Sequence, residues 1–247
     1  MALKTILNYS PNFNSQKRNY KQIKFIIFHY TGMKGESEAI NKLTNIQSEV
    51  SSHYLIKNNG DILTLVPDLY TAWHAGKSSW KNYEFINQNS IGIEITNPGH
   101  EFGYKKFSKK QISSLLKLSK VLIKKYKVSH KNILGHSDIA PERKKDPGEK
   151  FPWKYLSKNK VGLWHSLKKK DLIKNRGFKA NKIEKEYFFN NLFKIGYLKK
   201  IPKNINKASY LMDVAKAFQR RFRQELIDGK IDRECLLISI NLLERYN

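Results

Sequence analysis

His29, His136 and Asp146 are the residues of this chain whose types best suit a divalent metal. His29 closes the apolar run Phe25-Ile26-Ile27-Phe28, and His136 follows the short apolar run Ile133-Leu134-Gly135. Asp146 lies ten residues after His136, in a segment punctuated by Pro141, Pro147 and Gly148. Two imidazoles and one carboxylate suit Zn²⁺, and a set of three protein ligands leaves the fourth tetrahedral position open. Metal-assisted hydrolysis needs that open position; a structural zinc site lacks it. Any one of these histidines taken alone is more simply a surface or core imidazole. Their context argues otherwise. Both sit at predicted strand ends, with the aspartate on an adjacent loop, and such places carry function on a rigid scaffold.

Other side chains could complete the chemistry. Glu94 lies in Ser90-Ile91-Gly92-Ile93-Glu94-Ile95, an otherwise apolar strand, so its carboxylate needs a partner or a purpose. It could take a proton from water and return it to a departing amine; the plainer alternative is a buried ion pair. Lys144 stands two residues before Asp146. In an extended segment such residues share a side, so Lys144 would face the metal and stabilise a developing oxyanion, while Lys145 turns away. The alternative is one more solvated lysine. His53 reads as a hydrogen-bonded core histidine, and His74, after Trp73, as a groove wall or a support for a metal ligand. Tyr30, Trp73 and Trp80 could offer apolar faces to a substrate or simply pack in the core. Arg143 could grip a substrate carboxylate with two hydrogen bonds. His100, His130 and His165 have no comparable setting.

Five segments carry a resemblance: FIIFHYT (25–31), HYLI (53–56), AWHAG (72–76), IGIEI (91–95) and GHSDIAPERKKDPG (135–148). Together they resemble the zinc amidases of the AmpD type, N-acetylmuramoyl-L-alanine amidases related to phage lysozyme-amidases and peptidoglycan recognition proteins. The blocks stand in family order over roughly residues 20 to 155. The last is the most specific, because it holds two ligands and a lysine at family spacing. The resemblance implies zinc ligands His29, His136 and Asp146, with Glu94 and Lys144 catalytic; phage relatives carry a cysteine where this chain has Asp146. It also implies the bond cut, between the lactyl group of N-acetylmuramic acid and L-alanine of the peptidoglycan stem peptide. A non-catalytic recognition protein is the alternative, opposed by the intact ligand set.

The chain has 247 residues, 40% of them hydrophobic, enough for one large domain or two unequal ones. No stretch reaches the roughly 18 apolar residues of a membrane span. The first ten residues do not read as a signal peptide. Cys235 is the only cysteine, so no intramolecular disulfide is possible. The net charge of +26 raises nucleic-acid binding. Against it, lysine greatly outnumbers arginine, the lysines are dispersed, and no nucleic-acid motif is present. Biased composition, or adsorption to an anionic envelope polymer, accounts for the charge. No protein partner is legible.

The elements that must hold the site follow from periodicity. Lys24 to Tyr30 reads as a buried strand, and Glu36 to Gln47 as a short helix. His53–Lys57 and Ile62–Val66 flank Asn58-Asn59-Gly60-Asp61, a hairpin signal. Ile91 to Ile95 and Ile133 to His136 read as further strands. Ser108 to Gln111 forms a capping box opening an amphipathic helix. These predict an α/β domain, residues 1–167, with a mixed central sheet flanked by helices. Lysine-rich residues 168–180 read as a linker. Three helices (Lys182 to Phe193, Tyr210 to Leu226, Glu234 to Tyr246) then form a small domain, 181–247, that resembles a peptidoglycan-binding module. That resemblance favours polymeric substrate and the cell envelope or periplasm; the N-terminus leaves soluble turnover fragments and the cytoplasm open.

Overall fold

A computed structural model describes residues 3–197 and 205–246. The strands are β1 (Ile6–Leu7), β2 (Phe13–Asn14), β3 (Phe25–Tyr30), β4 (Tyr54–Ile56), β5 (Ile62–Thr64), β6 (Thr71–Ala72), β7 (Ser79–Trp80), β8 (Tyr83–Glu84), β9 (Ser90–Ile95) and β10 (Ile133–Gly135). The helices are α1 (Glu36–Thr44), α2 (Lys109–Tyr126), α3 (His136–Ile139), α4 (Trp153–Lys158), α5 (Lys169–Asn175), α6 (Lys182–Ile195), α7 (Lys207–Phe222) and α8 (Arg233–Tyr246). Six strands form the main sheet in the order β1-β5-β4-β9-β3-β10. Only β4 and β5 pair antiparallel in it, across the expected hairpin; the other pairings are parallel. The sheet is mixed and helix-flanked, as the periodicity predicts.

Strand alternation explains what each face does. On β3, Ile26 and Phe28 join a core with Ile91, Ile93 and Ile95 of β9 and the apolar stripe of α2. The intervening Phe25 and Ile27 face the other way, into a core with Leu134 and the buried residues of α6, α7 and α8. Helix α2 is opened by the capping box, with Ser108 accepting from the Gln111 N–H and Gln111 reaching back to the Ser108 N–H.

The second core bears on the C-terminal helices. Phe188, Leu192, Val214, Phe218, Ile238 and Leu242 share one buried cluster with Phe25, Ile27 and Trp80 of the sheet half. The segment 168–180, expected as a linker, contains α5, whose Leu172 is buried in the same cluster. A lysine-rich surface concealed two apolar anchors, Leu172 and Ala180. Residues 198–204 of the expected helical domain lie outside the described residues.

Candidate active site

His29 ends β3, and Glu94 is its register partner on the adjacent parallel strand β9. Paired residues of parallel strands point to the same face. Because Ile91, Ile93 and Ile95 fill the α2 core, Ser90, Gly92 and Glu94 project beside His29 on the opposite face. His136 begins α3 immediately after β10, the neighbour of β3 on its other side. The Ser137 N–H donates to the Asp146 carbonyl at 2.9 Å, which draws the returning loop onto α3. Gly135 permits that approach: a Cβ there would lie 2.7 Å from Pro147 Cδ.

His29 Nδ1, His136 Nδ1 and Asp146 Oδ2 converge. The two nitrogens are 2.9 Å apart, and each lies 3.0 Å from the carboxylate oxygen. All three residues are buried. The surrounding hydrogen bonds fix the proton of His29 and favour one tautomer of His136, whose Nε2 is nearer the Ala75 carbonyl (3.2 Å) than Arg143 Nη2 (3.4 Å). Ser90 donates to the Ile86 carbonyl at 2.7 Å, so its Oγ must accept from His74 Nε2–H at 3.1 Å. His74 Nδ1 then accepts from His29 Nε2–H at 3.0 Å. His136 Nε2–H donates to the Ala75 carbonyl at 3.2 Å. Both Nδ1 atoms are therefore left as bare lone pairs facing a carboxylate, with no hydrogen between them. Such a triangle repels itself unless a cation sits in it. Donor atoms around one zinc ion stand roughly 3.3 Å apart at bond lengths of about 2.0–2.1 Å. Among the described residues, this group could hold a metal ion.

Electrostatics agree. Burial, with His136 next, pulls the His29 imidazole down to about 4, so it is neutral at physiological pH. Burial alone would raise the Asp146 carboxyl, but the adjacent imidazoles, His136 first and then His29, outweigh it and hold it well below the usual carboxylate range. Burial and then the neighbouring imidazoles His29, His53 and His136 drive His74 well below its ordinary value. These are the protonation states that metal ligands and their supports require.

Glu94 faces the same open cleft, of about 340 Å³, that Tyr30, Trp73, His74, Arg143 and Lys144 line. Its Oε2 is shielded and has no hydrogen-bond partner among the described residues. Burial pushes its carboxyl up to about 8, Asp146 pushes the same way, and Lys144 pulls it down. Lys144 is half-buried and Lys145 more exposed, but both line the cleft, because the Lys144 N–H bonds the Ala140 carbonyl and the segment turns instead of running extended, so Lys145 does not turn away as alternation predicts.

The remaining candidates sort by what their polar atoms touch. His74 has both ring nitrogens engaged, and a Cβ at Gly92 would lie 2.4 Å from its ring. It therefore supports His29 and has no nitrogen free for a substrate. Arg143 donates from Nε to the Lys77 carbonyl at 3.0 Å and from Nη2 to Ala75 and Lys77, so it clamps the 75–77 loop against His136. This occupies donors that the sequence reading assigned to a substrate carboxylate. Trp73 lines the cleft, and its Nε1–H donates to Asn14 at 2.6 Å. Tyr30 bonds His100 Nδ1 at 2.8 Å, and His100 Nε2 meets Glu149 at 3.0 Å. His100 thus belongs to the cleft rim, which its sequence neighbours Pro98 and Gly99 gave no means of detecting. His53 accepts from the Gly92 N–H at 3.0 Å and is fully buried, a core histidine as expected.

Comparison with known proteins agrees with this site. Residues 19–149 match the family model described as N-acetylmuramoyl-L-alanine amidase. The chain is 34% identical over 242 residues to N-acetylmuramoyl-L-alanine amidase AmiD of Escherichia coli, covering 92% of this chain and 84% of that one. It is 33% identical to 1,6-anhydro-N-acetylmuramyl-L-alanine amidase AmpD of Haemophilus influenzae, covering 60% of this chain and 88% of that one. The solved complex of E. coli AmiD with anhydro-N-acetylmuramic acid-L-Ala-D-gamma-Glu-L-Lys superimposes with a TM-score of 0.81 at 32% identity, over 94% of this chain and 93% of that one. A fold of this kind, with two histidines at strand ends and an aspartate on the adjoining loop that could together hold a metal ion, is that of an amide hydrolase. The chain belongs to the N-acetylmuramoyl-L-alanine amidase family.

Proposed function

We propose that this chain is a zinc-dependent N-acetylmuramoyl-L-alanine amidase. It hydrolyses the amide between the lactyl group of N-acetylmuramic acid, intact or as the 1,6-anhydro sugar, and L-alanine of the stem peptide. The observation that carries the reading is the convergence of His29 Nδ1, His136 Nδ1 and Asp146 Oδ2 within 3.0 Å of one another, with Glu94 in register beside His29. The relatives' names supply the bond's identity.

Zinc held by these ligands would supply Lewis acidity for amide hydrolysis. Glu94 accepts a proton from the attacking water and passes it to the departing nitrogen as the C–N bond breaks. The products are the muramyl carboxylate and a peptide with a free L-alanine amine. A carboxyl raised by burial suits a group that must both take and give that proton near neutrality. Lys144, half-buried at the cleft and close enough for its charge to act on Glu94, stabilises the oxyanion of the tetrahedral intermediate. Tyr30 and Trp73 contribute apolar walls to the cleft for sugar or peptide.

The reading places the protein against peptidoglycan in the cell envelope, on the resemblance of its C-terminal helices to a wall-binding module; cell fractionation tests that location. Mass spectrometry of muropeptide digests tests the chemistry. Loss of the intact stem peptide from the muramyl residue, abolished by a chelator and restored by zinc, is expected. Unchanged muropeptides, or cleavage at another amide, would contradict it.

A further inference from the structure

We infer that Arg221, on helix α7, is a positioning residue for the ligand His136, so that the C-terminal helices are part of the active-site scaffold. The inference builds on the metal reading above. Arg221 is 2% exposed. Its Nη2 donates to the Ile133 carbonyl at 3.0 Å, at the start of β10, and its Nη1 to Asp138 Oδ2 in α3. One guanidinium therefore grips the chain three residues before His136 and two residues after it. The same Asp138 oxygen accepts the Gly135 N–H at 2.8 Å, and the other accepts the hydroxyl of Tyr197, which follows α6. The corner that presents His136 is thus held by two side chains from the helical region. The guanidinium also stacks on Trp153, 4.2 Å from the ring centroid.

The position of this corner sets the metal geometry. Ser137 binds the Asp146 carbonyl, and Pro147 packs on Gly135, so a shift of the corner moves His136 and Asp146 relative to His29. A buried fork of this kind is held rigidly, because separating either charge from its partner leaves it unpaired away from water. A detachable wall-binding appendage would have no need of it.

Arg223 provides a matched control. It too is 2% exposed, but it pairs with Asp228 at 2.8 Å and with Asp232, and these contacts stay inside the helical region. The experiment uses the full-length protein and compares wild type with Arg221→Met, Arg221→Lys and Arg223→Met. Zinc affinity is read by competition with a chromophoric chelator, fold and Tm by circular dichroism, and kcat and KM on a soluble muropeptide. Arg221→Met should lower Tm, weaken zinc binding at least tenfold and reduce kcat more than it changes KM. Arg221→Lys should recover part of the affinity, since it restores the charge against Asp138 but not the fork to Ile133. Arg223→Met should lower Tm comparably and leave zinc affinity within about twofold of wild type. Should Arg221→Met not fold, Tyr197→Phe removes one donor from Asp138 and leaves the ion pair; a several-fold loss of zinc affinity is then expected. Wild-type zinc affinity in folded Arg221→Met, or in Tyr197→Phe where that variant stands in, would overturn the inference. Wild-type protein that binds no zinc at all would overturn the metal reading itself, and this inference with it.

Discussion

The two histidines proposed as metal ligands are held by different parts of the molecule. His29 receives its support within the sheet half, through a one-way chain of hydrogen bonds from His29 to His74 to Ser90 to the Ile86 carbonyl. That chain fixes which nitrogen carries the proton. His136 has a carbonyl partner for its ring, at Ala75, but the backbone that carries it is anchored from the helical region by Arg221 and Tyr197. One ligand is controlled by tautomer and the other by position. The first kind of control stays within the sheet half, with His29 and His74 in two of the amidase blocks and Ser90 and Ile86 just before a third. The second crosses the fold and depends on helices the sequence presented as a separate module.

The proposed catalytic side chains, Glu94 and Lys144, should separate from both supports, and by the largest margin. Glu94→Ala should retain zinc, since Glu94 Oε2 touches no ligand in the hydrogen-bond network, yet lose ~10²- to 10⁴-fold in kcat with the proton shuttle. Zinc lost along with the activity would make Glu94 part of the metal site. Lys144→Ala should lose roughly a hundredfold in kcat with substrate affinity little changed. Lys145→Ala, one residue on and exposed, should approach wild type. Equal damage from the two would mean the loop does not distinguish them.

His74→Phe tests the tautomer side of the comparison. Removing a hydrogen-bond partner of a metal-bound imidazole typically costs ~10- to 100-fold in metal affinity, and the ratio of His29 tautomers in the zinc-free protein, read by nitrogen-15 NMR, should shift. Ser90→Ala acts one bond further out and should shift both readouts less. An unchanged tautomer in His74→Phe would show that His29 does not depend on the chain.

The smallest expected effect is on stability. The Glu94 carboxyl is raised from 4.5 to about 8 in the folded, metal-free protein, chiefly by burial. Between those values the folded state holds a proton that the unfolded state has released, so stability is full below the unfolded value and declines as pH rises through the folded one. Glu94→Gln cannot ionise and lacks this contribution. Urea titrations of metal-free protein from pH 5 to 9 should show wild type losing on the order of 1 kcal/mol more than Glu94→Gln, after allowance for solvent in the open cleft. Parallel curves would mean that Glu94 is not desolvated.

The difference between the two ligands also explains what the sequence could convey. His29 and Glu94 stand in apolar strands with period-2 alternation, so their shared face follows once the strands are paired in register. His136 and Asp146 are close in sequence and lie between glycine and proline markers. The pairing of Arg221 with Asp138 bridges 83 residues and leaves no periodic trace. Within Arg220-Arg221-Phe222-Arg223, composition alone reads as a solvated helix end, yet Arg221 and Arg223 are among the most buried large side chains. His100 was missed for a similar reason, since Tyr30 and Glu149 reach it from 70 and 49 residues away. The lysines of 168–180 read as linker because charge dominates that stretch, while Leu172 alone reports the packing of α5.

Elemental analysis of purified wild type beside His136→Ala decides whether His29, His136 and Asp146 hold one zinc ion per chain. One zinc per chain is expected in wild type and almost none in His136→Ala, with the far-ultraviolet circular dichroism of the two nearly the same. Undiminished zinc in folded His136→Ala would contradict it.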